Sequence, residues 1–187
     1  GDTVFVDDPG YFPLYAKLKL SHINFVGIPR TSAGIDIEYF KEKLLACKPV
    51  LFFTQSVGQN PTGSSYTLHN AHNLLMLAEE HRFLIVDDDP FYDLPCVQGI
   101  RLSELDQFNK VILIVTFSKI LSSTVRSGYI VSKIDIAEQL ANVKLITVVN
   151  SSTYSEAIIH NIRESSGYVK HIRKMTKRIN LETHEIQ

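Results

Sequence analysis

Lys119 is the residue whose setting best suits covalent chemistry. It stands in Thr116-Phe117-Ser118-Lys119-Ile120, directly after the apolar run Val111 to Val115, and Arg126 follows seven positions later. Hydroxyls and an arginine donate hydrogen bonds to oxygen, which is what an anion such as phosphate requires. A lysine held against a mostly apolar wall loses proton affinity and can act as an amine nucleophile. The same residues also fit a strand end with a solvated lysine and an arginine in a surface ion pair, and taken alone the stretch favours that plainer reading.

Two further clusters carry polar groups. Asn60-Pro61-Thr62-Gly63 can only be a turn or loop. Asp87-Asp88-Asp89 sets three carboxylates in a row, which is costly unless a cationic group faces them; a helix cap or solvated loop is the plainer account. His69 and His72 share a helix face at a spacing metal ligands use, but no acidic or thiol partner accompanies them, so they read as surface histidines. No GxGxxG, P-loop, HExxH or GxSxG pattern occurs, which leaves dinucleotide binding, P-loop hydrolysis and serine hydrolysis unsupported.

The elements that must hold these clusters follow from hydrophobic spacing. Short apolar runs over Val4-Val6, His22-Ile28, Val50-Thr54, Phe83-Val86, Val111-Val115 and Tyr129-Val131 predict strands, the second closed by Pro29. Helices are predicted for Tyr11-Leu20, Asp36-Leu45 and Thr67-His81. Three more follow, Ile134-Leu145, Thr153-Arg163 and Gly167 to the end. In the third helix Leu68, Ala71, Leu74, Leu75 and Ala78 form the expected buried stripe. Strands alternating with helices predict an α/β fold, a mixed, mostly parallel sheet with helices on both faces. In such a sheet functional groups sit at the carboxyl ends of strands, and all three clusters fall there.

The totals agree with a domain or part of one. The chain has 187 residues, 44% apolar and 21% charged, with a net charge of −1, so no general attraction to nucleic acid or membrane follows. Cys47 and Cys96 are too few for a disulfide framework and fit a reducing, cytoplasmic setting. No apolar run reaches the roughly 18–20 residues of a membrane span. The basic residues Arg163, Lys170, Arg173, Lys174, Lys177 and Arg178 can touch phosphate backbones, but the solvated face of a long helix explains them more simply.

The ordered combination is more specific than its members. Asp88 follows Asn60 by 28 residues, Lys119 follows Asp88 by 31, and Arg126 with Gly128-Tyr129 closes the pattern. In this the chain resembles the fold-type I pyridoxal 5'-phosphate (PLP) family, the aspartate aminotransferase superfamily. Asp88-Asp89-Pro90-Phe91-Tyr92-Asp93-Leu94 and Tyr168-Val169-Lys170-His171-Ile172-Arg173-Lys174-Met175 look most like MocR-type regulators, whose aminotransferase-like domain follows a GntR-type winged helix. Kynurenine and aminoadipate aminotransferases share both segments loosely.

The resemblance implies that Lys119 forms an imine with PLP and later shuttles a proton. Asp88 would pair with the pyridine nitrogen, and Asn60 would bond the phenolic oxygen. Thr116, Ser118 and Arg126 would hold the phosphate. Many members carry a tyrosine three residues after the aspartate. Here that position is Phe91, with Tyr92 next, so either Tyr92 substitutes or that ligand is missing. The family's small-residue phosphate loop and ring-stacking aromatic would precede Gly1, and its small domain would follow Gln187. Residues 1–165 are thus expected to be a partial PLP-binding large domain, with residues 166–187 starting the helix toward a small domain.

Three functions follow as expectations. The first is a PLP-sensing transcriptional regulator that answers an amino acid or amine ligand and meets DNA only through a winged-helix domain outside this chain. The second is a stand-alone aminotransferase passing an amino group from an amino acid to a 2-oxo acid. The third is a fragment inactive by itself. The family also implies a homodimer and no membrane contact.

Overall fold

In the computed structural model residues 2–186 are described; Gly1 and Gln187, where the resemblance begins and ends, lie outside them. Seven strands form one sheet in the order β3-β2-β1-β4-β5-β6-β7. They are β1 Thr3–Asp8, β2 Asn24–Thr31, β3 Gly34–Ile35, β4 Pro49–Thr54, β5 Leu84–Asp88, β6 Val111–Thr116 and β7 Gly128–Val131. β2, β1, β4, β5 and β6 pair in parallel with one another in that order, while β3 pairs antiparallel with β2. Among the described residues α1 Phe12–Leu20, α2 Ile37–Ala46, α3 Leu68–His81 and α4 Leu102–Asp106 lie between strands, and α5 Ile134–Thr147, α6 Thr153–Glu164 and α7 Ser166–Ile186 follow the last one.

The chain packs as two compact units. The first runs from the amino terminus to Asp89 and adds Gln98–Ile114 and Val131–Lys133; the second holds Pro90–Val97, Val115–Ile130 and everything from Ile134 onward. In the first unit, strand alternation sends side chains to two faces. Phe5 and Phe52 join Phe40 of α2 and Leu74 of α3 on one side, where Phe40 meets Phe5 and Phe52 at 5.2 Å in edge-to-face geometry. Val4, Val6 and Phe53 pack with Leu14 and Leu18 of α1 on the other. In the second unit Leu94, Val115, Phe117, Ile120 and Ile159 are buried.

Several boundaries differ from those the sequence pattern predicts. β2 runs through Pro29 to Thr31: Pro29 still stands opposite Asp8 of β1, and the antiparallel pairing with β3 takes in Arg30 and Thr31 beyond it. β3 itself has no apolar signature of its own. β1 and β5 each extend two residues into their aspartates, so Asp7 and Asp87 are strand residues. α4 falls between Phe83-Val86 and Val111-Val115, where no helix is predicted. Asp36 and Thr67, predicted inside helices, are their amino-terminal caps, accepting from the backbone N–H of Tyr39 and Asn70. On α3, Leu68 is exposed and Asn70 takes a buried place, its amide bonded to both backbone groups of Ile35.

Candidate functional site

In the first unit, two glutamines that carry no sequence motif build the loop after β4. Gln59 is buried; its side-chain oxygen accepts from the Thr62 N–H at 3.0 Å and hydroxyl at 2.6 Å, and its amide donates to the Pro9 carbonyl at 2.8 Å. The Asn60–Gly63 turn is therefore pinned from within, with Gly63 supplying a left-handed φ of 69°. Gln55, also buried, donates from Nε2 to Asp88 Oδ2 at 3.1 Å, and its Oε1 accepts from the Asn60 backbone N–H at 2.8 Å. Asn60 and Asp88, 28 residues apart in the chain, are thus brought together through one side chain.

The three aspartates each receive a different answer. Asp87 is fully buried and accepts from the Ser56 N–H at 2.9 Å and the Ser56 hydroxyl at 2.6 Å. Burial pushes its carboxyl up to about 7 against those hydrogen bonds. Asp88 is half-buried; burial raises its pKa, the Gln55 bond opposes the rise, and Asp89 adds to it. Asp89 is fully buried and paired with Arg101 Nε at 2.7 Å, and its N–H donates to Ile114. The cation called for by the carboxylate run is Arg101, and it meets one of the three.

A second buried charge pair lies at the end of β1. Asp7 faces Arg30 at 3.5 Å and accepts from the Thr54 hydroxyl and the Gln55 N–H. Burial outweighs the guanidinium and lifts the Asp7 pKa to about 6. Arg30 also lies over the Tyr66 ring and bonds Ser64 Oγ at 3.0 Å. Separation of 23 residues between Asp7 and Arg30 left no local pattern to reveal the pair.

In the second unit, Thr116 ends β6 and its hydroxyl ties back to Ser118, donating to Ser118 Oγ at 3.0 Å and accepting the Ser118 N–H at 3.2 Å. Phe117 and Ile120 turn inward, so Lys119 is exposed rather than held against an apolar wall. Among the described residues no hydrogen bond or ion pair engages its Nζ. A 3-10 turn over Ser123–Val125 leads to Arg126, which is exposed, has φ of 47° and donates to the Ser123 carbonyl at 3.4 Å. The loop closes where the Phe117 N–H meets the Ser127 carbonyl. Gly128 is required there, since a Cβ would lie 2.3 Å from the Val115 carbonyl oxygen.

Tyr92 is half-buried and lies within electrostatic range of Tyr129, whose hydroxyl pKa is raised by burial first and by Asp93 second. The start of α7 reaches both loops of this unit. Tyr168 donates to Asp93 at 2.5 Å, and His171 Nε2 meets the Ile120 carbonyl at 2.7 Å, one residue past Lys119. The two segments that look most regulator-like in sequence therefore touch each other. His69, at the helix face weighed for metal, sits 3.0 Å from the Asn73 amide.

The model of the aminotransferase class I and II family matches residues 1–186. The chain belongs to that family. Among relatives of these aminotransferases, the rat mitochondrial kynurenine/alpha-aminoadipate aminotransferase is 28% identical over 92% of this chain and 44% of its own length. The HTH-type transcriptional regulator NorG of Staphylococcus aureus (strain USA300) is also 28% identical, over 87% of this chain and 36% of its own. The crystal structure of Pyrococcus horikoshii kynurenine aminotransferase, in complex with PMP, matches at a TM-score of 0.87 and 28% identity, covering 95% of this chain and 46% of that one. The chain thus spans less than half the length of these relatives.

Proposed function

We propose that this chain is the PLP-binding part of a MocR-type transcriptional regulator, with the cofactor attached at Lys119. The observation that carries the cofactor reading is the bridge from Gln55 to Asp88 and Asn60, since a ring nitrogen and a ring hydroxyl need an acid and an amide held at fixed separation. The donor set suits the group: a half-buried carboxylate, clustered hydroxyls at Thr116 and Ser118, an exposed Arg126, and an exposed Lys119 that no hydrogen bond or ion pair engages among the described residues. When bound, PLP supplies an electron sink. Asp88 would hold a proton on the pyridine nitrogen, and Asn60 would donate to the phenolic oxygen. Thr116, Ser118 and Arg126 would fix the phosphate, and Tyr92 would stand in for the tyrosine replaced by Phe91. Lys119 would anchor the group and carry the proton.

The regulator reading is supported by NorG and by the contact between Tyr168 and Asp93, which joins the two regulator-like segments. A second reading, an aminotransferase acting on an amino acid and a 2-oxo acid, is supported by the equal identity to the rat enzyme. A basic winged-helix segment ahead of Gly1 in the full reading frame selects the first, and a short arm selects the second. Either is expected to be a homodimer with an amino acid or amine ligand, and DNA would be met only through the winged helix.

Borohydride trapping of the full-length protein with PLP, followed by peptide mapping, is expected to place a pyridoxyl group on Lys119. Labelling at another lysine, or none, overturns the cofactor reading.

A further inference from the structure

We infer that Gln55 is the positioning residue for the ring-binding pair, one amide that sets Asp88 and Asn60 relative to each other. The inference rests on the PLP reading of those two residues. A glutamine amide presents a donor at one end and an acceptor at the other. Here the donor end takes Asp88 Oδ2 and the acceptor end takes the Asn60 N–H, while the Gln55 backbone N–H is itself fixed by Asp7 Oδ2 at 3.2 Å. The residue is 7% exposed, so water offers little substitute for either bond.

The amide has only one satisfactory orientation. Turned over, it would aim oxygen at a carboxylate and N–H at N–H. The charges around Asp88 leave this donor a distinct task. Asp87 on β5 and Asp89 just past its end flank it; Ser56 answers the first and Arg101, the residue before α4, the second, and Gln55 answers Asp88. Oδ1 of Asp88 carries no hydrogen bond among the described residues. Holding Oδ2 therefore aims the carboxylate without occupying both of its oxygens. The same bond favours the ionised form, as seen in its downward pull on the Asp88 pKa.

The test uses the full-length protein and two variants of one size class. Gln55→Glu keeps the acceptor for the Asn60 N–H and sets a second carboxylate against Asp88. Gln55→Met keeps volume and removes both bonds. PLP titration followed by absorbance is expected to show affinity weakened about tenfold or more in Gln55→Glu and roughly three- to tenfold in Gln55→Met, the scale of one hydrogen bond to a charged group. Carboxyl 13C NMR of the cofactor-free protein is expected to show Asp88 titrating higher in Gln55→Glu than in the native chain, a shift that mere loss of packing does not produce. Affinities within twofold of native in both variants, with native label on Lys119, overturn the inference and leave the PLP reading standing. A native protein that takes no label on Lys119 fails the PLP reading, and the inference with it. Gln55→Met introduces no buried charge, so it carries the test if Gln55→Glu does not fold.

Discussion

Asp87, Asp88 and Asp89 are identical in type and adjacent in sequence, yet burial and partners give each a separate electrostatic life. Asp87 yields a pH prediction. Its folded pKa of about 7 lies above the ordinary aspartate value of 3.8, so between those values the folded state holds a proton that the unfolded state has lost. The stabilisation is complete below about pH 4 and is lost as pH rises through 7, by up to about 4 kcal/mol at about 1.4 kcal/mol per pH unit. Asp7, with its pKa raised to about 6, adds a loss of the same sign. Thermal melting of native protein and Asp87→Asn between pH 5 and pH 8 is expected to show a shallower decline in the variant. Equal pH slopes would assign the decline to other groups.

Phe40 shows how the elements are held. Its ring is fully buried and meets Phe5, Phe52 and Phe83 at 5.2, 5.2 and 5.6 Å, so α2 is keyed to β1, β4 and the entry to β5 through one side chain. Phe40→Ala is expected to cost about 3–5 kcal/mol of unfolding free energy, read from the denaturation midpoint; a loss under about 1 kcal/mol would mean the site collapses around the gap. Elements of this kind were legible in the sequence, because buried parallel strands such as Val111 to Val115 and the helix faces around Phe40 and Leu74 carry their periodicity locally. β3 and the passage of β2 through Pro29 were not, since both depend on where pairing starts rather than on residue type. The candidate site divides in the same way. Asn60, Asp88 and Lys119 were singled out as candidates by ordered spacing, whereas Gln55, Gln59 and Arg30 work through contacts 3 to 50 residues distant and have no local signature.

At the scale of the molecule, the apolar surface is uneven. α5 buries no residue, and Ile134, Leu145, Ile146, Val148 and Val149 on it and just after it are exposed, Ile146 at 85%. Apolar side chains gathered in this way mark a surface prone to association. The 187-residue chain produced by itself is expected to self-associate, and Ile146→Ser with Val149→Ser is expected to lower its light-scattering mass at a given concentration; an unchanged mass would place the association elsewhere. No described helix is long and apolar enough to cross a membrane. α7 is the longest helix, 21 residues or about 30 Å at 1.5 Å per residue. Its first two turns carry both fastenings, Tyr168 to Asp93 and His171 to the carbonyl beside Lys119, and the remaining turns extend past them. The 15 residues beyond His171 reach about 22 Å, so a tilt of about 5° at the fastened end would sweep the far tip through about 2 Å. A shift of the lysine loop that tilted α7 would thus be enlarged along the helix, away from the loop itself.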